Sequence, residues 1–228
     1  MDAEAGETER VRNQTGAPSS KQTMDQHTAV DGSPLAPESI RMMEYLKARA
    51  AELSAAAIRQ RIRTAAQELE NAVASVSASE ARLCPFAGKW TVAEVVDHIP
   101  QTQVRGTEEL RHLLAGRRPP LPPVYEALQS GAGQWAPWDL LVDELRAANR
   151  AMVELLESSA DEAPSPQSPT VRTVVVALRK LEDGRTEPQI FFAELGWKEY
   201  ALLQRLHLLD HRRQVNSLKP QMHTDKYR

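Results

Sequence analysis

The chain has 228 residues, 41% of them hydrophobic, which is enough for one core, so a single globular unit with tails is expected. A formal net charge of −3 and a pI near 6.1 leave no cationic footprint for nucleic acid, and no apolar run is long enough to span a bilayer. The acidic stretch from Met1 to Arg10 carries neither the cationic nor the apolar part of a secretory signal, and the one cysteine, Cys84, excludes an intrachain disulfide and a cysteine-based zinc finger, so a cytoplasmic protein is expected.

Residues 1–36 are rich in Gly, Ser, Thr, Gln, Asp and Glu and poor in large apolar groups, which predicts a disordered tail. The domain is then expected over 37–218, with a second tail at 219–228. Pro37 opens a run in which Ile40, Met43, Tyr45, Leu46, Ala50 and Leu53 recur at helical spacing, predicting a first helix. Ser54 suits the N-cap of a second helix over 55–76, where Ile58, Ile62, Ala65, Ala66, Leu69, Val73 and Val76 line one face. Residues 77–90 read as loop. Thr91 then caps a third helix, with Glu94 at the capping-box position and His98 one turn further on. Pro100 removes one backbone donor and is expected to kink that helix before it resumes towards Leu114.

The stretch 116–124 is proline-rich and extended, and the aperiodic run to Pro137 reads as a long connection able to cover a pocket. Another helix is expected from Asp139 to Ser158. The β-branched run 171–179, the Asp183-Gly184 dipeptide and residues 186–192 predict a small β-hairpin. A last long helix over 197–217 carries His207 and His211.

That four-residue spacing stacks two imidazoles on one helix face, about 5.4 Å apart along the axis. Chance placement of six histidines in 228 residues gives roughly 0.16 such pairs, so the pair alone reads more readily as two packed or solvated side chains. A bundle that brought His98 to the pair would instead assemble three neutral nitrogen ligands with an open fourth position, the arrangement of a catalytic metal site.

The two segments Trp90-Thr91-Val92-Ala93-Glu94-Val95-Val96-Asp97-His98 and His207-Leu208-Leu209-Asp210-His211-Arg212-Arg213-Gln214 resemble the paired motifs of the DinB-like superfamily, and the likeness runs over roughly residues 55–218. It implies a mainly α fold, a four-helix bundle to which this chain adds an N-terminal helix and a hairpin before the last helix. It also implies that His98, His207 and His211 converge on one divalent metal near the end of the bundle. Relatives of this kind include thiol S-transferases using bacillithiol or mycothiol. The resemblance therefore implies an enzyme that transfers a low-molecular-weight thiol to an electrophilic small molecule. The alternatives are a hydrolase using metal-bound water and a non-catalytic metal-binding or stress-response bundle. Arg213 departs from the family pattern, which often has Gly there.

Imidazole ligands suit zinc, nickel or ferrous iron, with zinc favoured by abundance. Gln204 and Gln214, three residues from a ligand on the same helix, are the expected outer partners that orient the imidazoles. Glu94 is a candidate proton acceptor, although the capping role competes for it. Asp97 and Asp210, each next to a ligand in sequence, turn about 100° away and are expected to face solvent or a neighbouring helix. Trp90 and Trp197 read as anchors of the ligand helices, Trp135 and Trp138 as plugs of the bundle's end, and Arg117 and Arg118 as solvated charges or contacts for an anionic thiol. His27, His112 and His223 lie outside the triad. The expected partner is a small-molecule substrate, and the assembly leans to a homodimer.

Overall fold

Two helix starts are set by single side chains. Ser54 accepts from the Ala57 amide at 3.1 Å and opens the second helix. Thr91 accepts from the Glu94 amide at 3.1 Å while Glu94 accepts from the Thr91 amide at 2.8 Å, completing the capping box that opens the third. A computed structural model describes residues 28–84, 88–124, 127–161 and 168–224. Among these it contains five α-helices and one two-stranded antiparallel sheet: α1 (Pro37–Glu52), α2 (Ala55–Ala74), α3 (Val92–Leu114), α4 (Trp138–Glu157), β1 (Val171–Lys180), β2 (Thr186–Leu195) and α5 (Trp197–Thr224).

Helices α2 to α5 form the bundle, packed in the order α2, α4, α3, α5 and back to α2. Cross-helix pairs give their directions. Arg63 meets Glu157 and Glu70 meets Asn149, so α2 and α4 are antiparallel. Lys198 reaches the Leu53 carbonyl and Arg212 pairs with Glu68, so α2 and α5 run the same way. His98 faces His207 while Glu109 meets Tyr200, which makes α3 and α5 antiparallel. The bundle is therefore up, down, down, up, and the parallel neighbours α3 and α4 need the long connection of residues 115–137 between them. Helix α3 runs unbroken through the buried Pro100.

The hairpin pairs Val171 with Leu195 through to Lys180 with Thr186, its turn carried by Gly184 at φ +84°. Its inward residues Val171, Val175, Ala177, Phe191, Ala193 and Leu195 join Leu46 and Ala50 of α1 and Leu110, Met152 and Tyr200 of the bundle in one apolar cluster. A second cluster, built on Leu69, Val95, Ile99, Leu141, Leu208 and Val215, fills the other half.

Two boundaries differ from the expectation. Residues 28–36 are held in place instead of belonging to a disordered tail: Ala29 is buried, Val30 donates to the Ile190 carbonyl at 2.8 Å, and the buried Gln189 side chain binds Ala36 and Pro34. The contacts are made by distant strand residues, which composition cannot reveal. Helix α5 also continues past Leu218 to Thr224, six residues into the expected second tail. Residues 1–27 and 225–228 lie outside the described residues. No described helix is long and apolar enough to cross a membrane.

Candidate metal centre

The antiparallel contact of α3 and α5 places His98 against two successive turns of α5, and His207 and His211 occupy them. Nε2 of His207 lies 3.1 Å from Nε2 of His98 and 3.0 Å from Nε2 of His211. The ring centroids are 4.4 to 5.1 Å apart and the rings meet edge to face. For comparison, nitrogens bound tetrahedrally to one ion at about 2.05 Å lie about 3.3 Å apart.

Hydrogen bonds on the far side of the rings decide where the lone pairs are. Nδ1 of His98 is 2.7 Å from the Leu128 carbonyl, which can only accept, so Nδ1 carries the proton and Nε2 a lone pair. Nδ1 of His211 is 2.9 Å from Oε1 of Gln214, with the same consequence. Both lone pairs then face Nε2 of His207, where one N–H could satisfy only one of them. Protonation at neutral pH is disfavoured by the surroundings. Burial, followed by the neighbouring His211 and His98, holds His207 well below the usual imidazole range. Burial and His98 lower His211 to about 4 against the opposing bond from Gln214. His98 is lowered by burial, against the Leu128 carbonyl and Asp97. Neutral nitrogens converging without a proton to share are the donor set of a divalent transition metal, and the three residues fit such an ion.

The sequence pattern of the DinB superfamily matches residues 61–215, two thirds of the chain and all three histidines. The chain belongs to the DinB superfamily. Among solved structures, YfiT from Bacillus subtilis, described as a probable metal-dependent hydrolase with an unusual four-helix bundle topology, aligns with a TM-score of 0.46 and 16% identity over 72% of this chain and 85% of YfiT. No curated protein matches the chain.

Around the DinB triad, the candidate residues distribute as follows. Gln214 is the outer partner of His211. Gln204 is buried between α5 and α3, its Oε1 without a partner among the described residues. Glu94 is occupied at the start of α3, where one carboxylate oxygen takes both the Thr91 amide and the Thr91 hydroxyl. Trp90 sits beside His98, ring centroids 5.1 Å apart, and Trp138 is buried in the core. Trp135 plugs nothing: the residue is 74% exposed. Arg118 pairs with Glu194 of the hairpin at 2.7 Å. Arg213 points outward and pairs with Asp210, so the departure from Gly leaves the helix packing alone. His112 faces Glu108, and His27 lies outside the described residues.

Asp97 corrects the expectation most sharply. It is 1% exposed, and its carboxylate accepts from the Ser130 hydroxyl at 2.5 Å and the Gly131 amide at 3.0 Å. Gln129 donates to the Glu94 carbonyl at 3.2 Å, and Gly133 lies so close to α3 that a Cβ would come within 2.8 Å of the Glu94 backbone. Residues 128–133 are thus fastened along the first turns of α3, and the carbonyl of Leu128 is delivered to His98. Sequence offered one usable signal for this, a Ser-Gly turn in the connection able to cap a carboxylate.

Proposed function

We propose that His98, His207 and His211 hold one divalent metal ion, zinc by availability and nickel or ferrous iron by the same ligand chemistry, and that the protein uses it in group transfer between small molecules. The low-molecular-weight thiol cosubstrate suggested by the DinB motifs is the preferred nucleophile, an electrophilic small molecule the acceptor. The observation that carries this reading is the convergence of three imidazoles, with the outer nitrogens of His98 and His211 already committed as donors so that their Nε2 lone pairs face inward. Such an ion, when bound, supplies Lewis acidity that lowers the pKa of a coordinated thiol or water. Three neutral ligands leave the ion its full charge and one position open.

The chain's own groups do the rest. Leu128 and Gln214 keep His98 and His211 in the tautomer that presents Nε2. Trp90 screens one side of His98, and the Thr102 hydroxyl, which donates to the His98 carbonyl at 3.2 Å, lies 3.5 Å from His98 Nε2. We assign Glu94 to the helix cap, not to proton transfer, because its bonding oxygen is taken up by Thr91.

The test combines metal analysis with a reaction screen. Protein purified without chelator should carry about one equivalent of metal per chain. Incubated with small thiols and electrophiles, it should then form thioether product that His98→Ala does not. Hydrolysis of the electrophile with no thiol incorporated would reject transfer in favour of water as nucleophile. A metal-loaded protein that did neither would make the bundle a binding protein.

A further inference from the structure

Two of the three imidazoles have an outer acceptor, and the third has none among the described residues. Nδ1 of His207 is buried without a partner among the described residues. One turn earlier on the same helix, Oε1 of Gln204 is buried without one as well. The first can donate and the second can only accept. An unmade bond between two buried groups this close in sequence costs each its desolvation, so their pairing, direct or through one water, is the economical arrangement.

One further turn back on α5 stands Tyr200, and the Gln204 side chain favours the ionised form of its phenol, as a donor beside it does. That hydroxyl in turn donates to Oε2 of Glu109 on α3, and Oε1 of Glu109 is held by Nε of Arg105 at 3.0 Å. Gln204, Tyr200 and Glu109 are 6%, 3% and 4% exposed. Opposite Gln204, α3 has Gly106, where a Cβ would sit 2.9 Å from Cδ and Nε2 of the amide. The absent side chain opens the space that the amide fills.

We infer that Gln204, Tyr200 and Glu109 form a directed hydrogen-bond chain that positions His207 as a ligand. Each donor points the same way, from the imidazole to the amide, from the amide to the phenol, and from the phenol to a buried carboxylate. A carboxylate at the far end pulls the chain's protons towards itself, fixes the proton of His207 on Nδ1 and makes Nε2 a better donor to a cation. Gln204, Tyr200 and Glu109 are positioning residues, and none of them is asked to touch substrate.

This inference rests on the metal reading above, and the experiment separates the two. Co2+ is titrated into metal-stripped parent protein, Tyr200→Phe, Gln204→Leu and Leu46→Val, following the visible absorption bands. Leu46→Val trims the same apolar cluster that Tyr200 joins while leaving every hydrogen-bonding group of the chain in place, and controls for loss of stability alone. Tyr200→Phe and Gln204→Leu should each bind Co2+ about tenfold or more weakly than the parent, with displaced bands, while Leu46→Val binds as the parent does. A smaller loss in either variant, or an equal one in Leu46→Val, overturns the positioning chain while leaving the metal site intact. Failure of the parent itself to bind Co2+ would overturn both.

Discussion

Asp97 holds Ser130 at 2.5 Å, and by doing so the residue next to His98 in sequence secures the very segment whose carbonyl His98 binds. One turn of α3 thus both builds the ligand and anchors its outer partner. Replacing Asp97 by Ala leaves the Ser130 hydroxyl and the Gly131 amide without their charged acceptor. The expected cost is roughly 2–3 kcal/mol in urea unfolding. Metal affinity should fall too, because the Leu128 carbonyl is no longer presented. Asp97→Asn, which keeps an acceptor, should lie between the two. A variant of parental stability and affinity would show that residues 128–131 are placed by other contacts.

Removal of the metal is the second test. A ligand present at a hundred times its dissociation constant stabilises the native state by about 2.7 kcal/mol, which for a domain of this size corresponds to roughly 5–10 °C in Tm. Addition of chelator should produce a fall of that size in the parent and none in His98→Ala, His207→Ala or His211→Ala. An unchanged Tm for the metal-loaded parent, or an equal fall in the histidine variants, would dissociate the imidazoles from metal binding.

Acid should expose the same histidines in the stripped protein. All three have folded pKa values below the ordinary value of 6.5, His211 at about 4, so below pH 6.5 the unfolded chain takes up protons that the folded chain refuses. Stability is therefore complete above pH 6.5 and drains away as the pH falls towards 4. His211 alone accounts for something on the order of 3 kcal/mol at the bottom of that range. Urea midpoints of stripped protein between pH 7.5 and 4.5 would show the decline, and His211→Gln should flatten it. A profile that is level from 7.5 to 4.5 would mean the imidazoles are solvated.

Much of the frame was legible because its signals are local. Ser54, Thr91 with Glu94, and the Asp183-Gly184 turn each act within four residues, and the apolar spacing of α2 is a property of one helix. His207 and His211 were legible as a pair for the same reason. Long-range contacts were not. Asp97 reads from helix geometry as a residue facing solvent or a neighbouring helix, yet a loop more than thirty residues away folds over it. Trp135 has the bulk of a core residue and none of the burial. Tyr200 and Glu109 sit ninety-one positions apart, and nothing in either's neighbourhood points to the other. Gly106 is ordinary until the amide of Gln204 is seen against it.

Gln189 provides a last test of long-range order. Helix α1 has no capping side chain of its own at Ala36, and Gln189 of β2 stands in for one. Its Oε1 accepts from the Ala36 amide at 2.8 Å and the Ser39 hydroxyl at 2.7 Å, while its Nε2 donates to the Pro34 carbonyl at 3.1 Å. Gln189→Leu keeps the bulk but takes this partner from the Ala36 amide, the Pro34 carbonyl and the buried Ser39 hydroxyl, at an expected cost of about 1–3 kcal/mol. The damage should stay local, since the bundle helices do not touch this residue's bonds. Hydrogen exchange of peptides covering 28–39 should accelerate while those from α3 and α5 keep their protection, and metal content should be unchanged. Equal acceleration throughout the chain would show instead that the hairpin, α1 and the bundle unfold as one unit.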